Sequence, residues 1–205
     1  MVLAVFLAAA PSLADTGQPS IHAPLDLRYA MTYAGLRVAD IALSMQPDEG
    51  HARSELVVRG EGLIGMFSRS FTRMQAIAAV DEAPVQPRRF QASYHKRDRE
   101  REVALRWDAD GRMVEATEVS NGRRRPSDVP QAHRFDVVDP LTAVLRLRDW
   151  LASPQARIGA ELRLPVTDGR KRLDMLARRN ADVAGSGGGK LHSLTVQLLP
   201  VFGFE

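Results

Sequence analysis

From residue 25 to residue 199 apolar and polar side chains alternate with a period of two, the spacing that sends one set to each face of a β-strand. Leu27, Tyr29, Met31 and Tyr33 alternate with Arg28 and Thr32, Gly35 interrupts, and Leu36, Val38, Ile41, Leu43 and Met45 resume. This predicts a strand, a break and a second strand. The apolar set passes from even to odd positions around Ala39 and Asp40, and a β-bulge there returns both halves to one face. Pro47-Asp48-Glu49-Gly50 reads as a turn and 54–60 as the next strand. Gly60, Gly62 and Gly65 surround Leu63, Ile64, Met66 and Phe67, which predicts a short helical turn or crossover lying on the sheet. Strands are expected over 70–80, 88–96, 102–107 and 112–119, with Asp108-Ala109-Asp110-Gly111 the strongest hairpin signal. From Asn121-Gly122 to Pro130 periodicity stops, and an exposed loop is expected.

Helix is predicted once. Asp139 is placed to accept backbone N–H bonds as N-cap, and Pro140 suits the first helical position, where its missing N–H would be unpaired anyway. Leu141, Val144, Leu145 and Leu151 share one face, Arg146 and Asp149 lie away from it, and Ser153-Pro154 ends the helix. Strands return over 161–166 and 170–178 through Thr167-Asp168-Gly169, and a flexible loop at 185–189 leads to a last strand over 191–199.

The first ten residues are apolar, and Ser12-Leu13-Ala14 offers the small residues that signal peptidase reads before Asp15. The run is too short to span a bilayer, so residues 1–14 read as a signal peptide and 15–205 as one β domain placed in the periplasm. No basic residue precedes Arg28, which a signal peptide ordinarily carries, so the true start is expected further upstream. The alternative reading, a buried N-terminal helix, is opposed by Pro11 and the polar stretch 15–20. Cysteine is absent, so no disulfide framework is available and stability must come from a hydrophobic core. The formal net charge is only +3, and the Arg clusters at 88–89, 96–101, 123–125 and 170–172 sit beside turns with acids interleaved in most of them. They read as solvated hairpin ends rather than a nucleic-acid surface, the functional alternative being contact with anionic headgroups or an acidic partner.

No catalytic motif emerges. His22, His51, His95, His133 and His192 are scattered without metal-ligand spacing, so no metal or other cofactor is expected. Residues 185–190 lack the leading Gly and trailing Ser or Thr of a phosphate loop, and no Gly-x-Ser-x-Gly is present. Asp139 reads as a helix cap before it reads as an acid or base. The aromatics Tyr29, Tyr33, Phe71, Phe90, Tyr94, Trp107 and Trp150 suit an ordinary core or the lining of an apolar cavity.

Tyr29-x-x-x-Tyr33-Ala34-Gly35-Leu36-x-Val38-Ala39, Pro87-x-x-Phe90, the run from Val138 to Leu145, and Val166-Thr167-Asp168-Gly169-Arg170 occur in an order and spacing that resembles the domain of unknown function 3108 family of exported bacterial envelope proteins. The resemblance implies a periplasmic protein built on a strongly curved antiparallel sheet with one helix against it, and it implies no catalytic or binding residues. Members run on through further strands after the segment matching 196–204, which implies a sheet here short of its closing strands.

The expectation is therefore a mainly β protein, its curved antiparallel sheet forming a half-open β-barrel or β-spiral with one amphipathic helix. Such a sheet offers a concave apolar face, for which Met31, Tyr33, Leu43, Phe90 and Tyr94 are the candidate lining. The first functional expectation is a non-enzymatic envelope protein that binds a lipid, an acylated protein or another apolar ligand, with no nucleic acid and no transmembrane segment in the mature chain. A structural or interaction protein with a filled core, acting through its Arg-rich loops or a sheet edge, is the alternative. A hydrolase assembled from scattered residues is the third. Oligomeric state is not legible.

Overall fold

A computed structural model of the chain describes residues 2–3, 21–33, 36–61, 70–97, 99–127, 129–184 and 190–204. The expected crossover at 63–67, the glycine loop at 185–189 and most of the signal segment lie outside the described residues. Val2 and Leu3 form a two-residue strand, β1 (Val2–Leu3).

Residues 25–126 fold into an antiparallel meander in which each strand pairs with the next: β2 (Leu25–Tyr33), β3 (Leu36–Asp48), β4 (His51–Gly60), β5 (Ser70–Ala79), β6 (Gln86–Lys96), β7 (Arg99–Trp107), β8 (Met113–Ser120) and β9 (Arg123–Pro126). The sheet is not closed, since β2 and β9 end it without pairing to each other. Its register slips where the alternation slips. Met31 faces Ala39 and Thr32 faces Arg37, which leaves Val38 as the extra residue of a bulge. The Asp108–Gly111 turn forms with Gly111 at φ +73°, a conformation that favours glycine.

One expectation fails here. Residues 123–126 are not loop but β9, paired with β8 after a turn at Asn121 and Gly122. Three arginines and a proline give no apolar alternation because all four side chains are exposed. Such a strand is an edge blunted by charge and proline, which a periodicity argument does not detect.

The helix α1 (Pro140–Ala152) is found with the predicted start and end. A second antiparallel sheet follows, ordered β1, β14 (Leu194–Phe202), β11 (Arg172–Arg179) and β10 (Glu161–Thr167), and β12 (Val183–Ala184) pairs with β13 (Lys190–Leu191). Helix α1 lies between the two sheets. Leu141 joins Phe90, Leu105 and Trp107 of the meander, Leu145 joins Met45, Ala52 and Ala78, and Ala143 and Leu147 pack with Leu164, Met175 and Val196 of the second sheet.

That sandwiching corrects the helix face read from the sequence. Arg146 does not point to water: it is half-buried, and its Nε donates to the Val85 carbonyl at 2.7 Å. Arg148 is buried as well, and burial lowers the pKa of both guanidinium groups. With a sheet on each side, a single apolar stripe cannot describe the buried surface.

Candidate functional site

Cross-strand register sorts the inner face of the meander into rows, because residues paired across an antiparallel sheet point to the same side. The first row runs Leu25, Met45, Ser54, Ala76, Phe90, Leu105, Ala116. Beyond Leu25 all of it is buried, capped by Leu141 and Leu145 of α1. The second row is Leu27, Leu43, Leu56, Met74, Ala92, Val103, in which Leu43, Leu56 and Met74 are only partly covered. The third row, Tyr29, Ile41, Val58, Thr72 and Tyr94, is half-buried throughout. Coverage thus fades from the first row to the third, leaving, among the described residues, an apolar band open along β2 to β6.

The turn between β10 and β11 bounds the other end. Gly169 has φ +87°, and a Cβ there would stand 2.8 Å from Val103 Cγ1 and 2.9 Å from Leu105 Cδ2. The Ser127 hydroxyl donates to the Gly169 carbonyl. The hairpin of the second sheet is therefore seated against the inner face of β7, while β2 to β6 carry no such plug among the described residues.

The five candidate lining residues fare differently. Leu43 and Tyr94 lie in the partly covered rows as an open face requires. Phe90 is fully buried under α1 and belongs to the filled core. Met31 stands at the far end of β2, 47% exposed. The side chain of Tyr33 lies outside the described residues. Register brings Tyr29, Ile41, Val58 and Leu56 into the band instead. The sequence signals their alternation, but not which alternating residues the helix would leave uncovered.

Polar chemistry sits at the edges. The Arg101 guanidinium lies 4.1 Å from the centre of the Tyr94 ring and 3.8 Å from Asp168 Oδ2. Asp168 accepts from the backbone N–H of Arg170 and Lys171, forming the turn. The Tyr94 hydroxyl has its pKa raised, chiefly by burial. A recess of about 540 Å³ opens beside these groups, lined by Arg123, Arg125, Arg170, Glu118 and Ser120 among others.

Asp139 is the cap the sequence predicts. Its Oδ1 accepts from Leu141 N and Thr142 N, both at 2.9 Å, and Oδ2 accepts the Thr142 hydroxyl at 2.6 Å. Complete burial nevertheless pushes its carboxyl up to about 6 against the pull of those donors. His95, His133 and His192 each contact a charged side chain, namely Glu100, Arg172 and Asp182. Among the described residues no group of three His, Asp or Glu side chains is arranged to hold a metal ion, and no helix is long and apolar enough to cross a membrane.

Eight antiparallel strands in an unclosed meander, one helix across their concave face and a second sheet behind that helix define a mainly β protein with a part-covered apolar concavity. Its sequence matches, over residues 28–196, the family described as Protein of unknown function (DUF3108), and the chain belongs to that family. No curated protein and no solved structure matches it.

Proposed function

We propose that the chain is a non-enzymatic protein of the bacterial periplasm that holds a lipid-like molecule or the acyl chain of a modified protein against the concave face of its larger sheet. The observation carrying this reading is the uncovered end of that face: Leu43, Leu56, Met74, Tyr29, Ile41 and Val58 form one continuous apolar band that α1 and the β10–β11 turn leave open. Contiguous apolar surface that a fold leaves in contact with water marks a binding surface. Export is supported by the apolar leader and the small residues before Asp15.

Native mass spectrometry of the natively purified protein, followed by organic extraction and lipid analysis, tests the reading. A reproducible co-purifying lipid, lost in Ile41→Asp or Val58→Asp variants that keep the wild-type circular dichroism spectrum, supports it. A clean apo mass with no uptake of added lipid overturns it and favours a second reading, an interaction protein with a filled core. The fully buried row around Phe90 and the Arg-rich open edge at β9 are what that second reading has in its favour.

A further inference from the structure

The two open rows of the concave face do not end in more apolar residues. Followed through the register, the third continues from Tyr94 to Arg101, Ser120 and Arg123, and the second continues from Val103 to Glu118 and Arg125. Apart from Thr72 in the third row, both rows are thus apolar from β2 to β6, and each ends in an arginine at β9. Strands lie about 4.8 Å apart, so the stretch from Tyr29 to Tyr94 spans roughly 19 Å before the charge begins.

Arg170 reaches the same recess from the β10–β11 turn. Three guanidinium groups, those of Arg123, Arg125 and Arg170, line the recess with one carboxylate, Glu118, and beside it Arg101 lies 3.8 Å from Asp168. Asp168 is already engaged by backbone N–H groups and Arg101. The excess is positive, and Arg123 and Arg125 are exposed. Guanidinium forks match the oxygens of a phosphate or carboxylate in pairs, which is how such an excess recognises an anion.

We infer that the arginine recess receives the phosphate head group of an anionic phospholipid whose acyl chain lies along the band from Tyr94 towards Tyr29. This rests on the reading of the concave face as a lipid-binding surface and adds to it a head-group preference and a direction. The occupant is committed by charge complementarity: an uncharged amphiphile brings no counter-charge to the excess of arginine, and a zwitterionic head group brings with its phosphate a quaternary ammonium that cancels it. The cation of Arg101 over the Tyr94 ring marks where head group gives way to tail.

Isothermal titration calorimetry of the full-length protein at low salt decides it, using monomeric short-chain phosphatidylglycerol, phosphatidylcholine with the same acyl chains, and inorganic phosphate. Phosphatidylglycerol is expected to bind at least tenfold more tightly than phosphatidylcholine. An Arg123→Glu/Arg125→Glu double variant, altered only at exposed edge positions, is expected to bind phosphatidylglycerol no more tightly than phosphatidylcholine. Equal binding of the two lipids, unchanged in the double variant, overturns the head-group assignment and leaves the apolar band as the lipid site. Phosphate binding as tightly as phosphatidylglycerol overturns the amphiphile in favour of a free-anion site. Binding of neither lipid overturns the underlying lipid-binding reading itself.

Discussion

The indole N–H of Trp107, on the last residue of β7, donates to the carbonyl of Val137 at 2.9 Å in a fully buried position. The next residue, Val138, donates its N–H to Pro165 O and accepts from Thr167 N, at 3.0 and 2.9 Å. The segment entering α1 is therefore bonded to the meander through one side chain and to the second sheet through its backbone. Trp107→Phe keeps most of the apolar volume but strands the Val137 carbonyl without its donor. Leaving a buried polar group unpaired costs about 1–3 kcal/mol, to be measured by urea unfolding. A loss below 0.5 kcal/mol, on the order of a surface substitution, would remove Trp107 from this role.

Asp139 makes stability depend on pH in a definite sense. Its carboxyl sits at about 6 in the folded chain against an ordinary 3.8, so between those values the folded state holds the proton more often than the unfolded state. Its contribution to stability is therefore greatest in acid and falls as pH rises from about 4 to about 6, then stays level. Asp139→Asn keeps an oxygen for the Leu141 and Thr142 N–H groups and removes the titration. The stability of wild type minus that of the Asn variant should drop by about 3 kcal/mol between pH 3.5 and pH 7, taking 1.36 kcal/mol per pKa unit. A difference that is flat with pH would show that the carboxyl titrates normally. Asp139→Ala, which also removes the cap, should cost a further ~1 kcal/mol.

Phe90 and Ile41 separate the filled part of the concave face from the open part. Phe90→Ala empties a fully enclosed position under Leu141 and should cost about 3–5 kcal/mol. Ile41→Ala lies in the half-buried row, with room for the surroundings and water to collapse around it, and should cost about 1 kcal/mol. Chemical denaturation of the two variants side by side checks the contrast. Equal losses would mean that the row of Ile41 is as closed as the row of Phe90.

Gly169→Ala should be poorly tolerated for two separable reasons. The backbone is at φ +87°, and the new methyl would press against Val103 and Leu105 at under 3 Å. A loss of roughly 2 kcal/mol is expected from strain and overpacking together. Trimming Leu105 to Val in the same chain should recover part of the strain. Thermal unfolding of single and double variants reads the coupling.

Local rules carried the reading of the strands a long way. The slip at Ala39, the Asp108–Gly111 turn and the Asp139-Pro140 helix start are each written within a few neighbouring residues, and each is present. What was not legible depends on partners far along the chain. Arg146 looked solvent-facing because one helix face was assigned to a single sheet, whereas two sheets enclose it. Residues 123–126 carried no period because an edge strand with every side chain exposed has no buried face to pattern. Arg101, Arg123 and Arg170 read as separate hairpin ends, 22 and 47 positions apart. Only the register of β7, β8 and β9 sets Arg101 and Arg123 in one row, and only the seating of the β10–β11 turn brings Arg170 to the recess that Arg123 lines.

The meander has a further consequence, for the order in which the molecule can assemble. Every strand from β2 to β8 pairs with its immediate successor, so each hairpin closes a short loop and the sheet can zip forward with low contact order. The remaining contacts are of another kind: Ser127 reaches Gly169 and Arg146 reaches Val85, across 42 and 61 residues. These long loops close only when the helix and second sheet dock. Until then the first row, with Phe90 and Leu105, is as open as the other two, and the nascent sheet presents to any apolar molecule nearby a far larger face than the finished one.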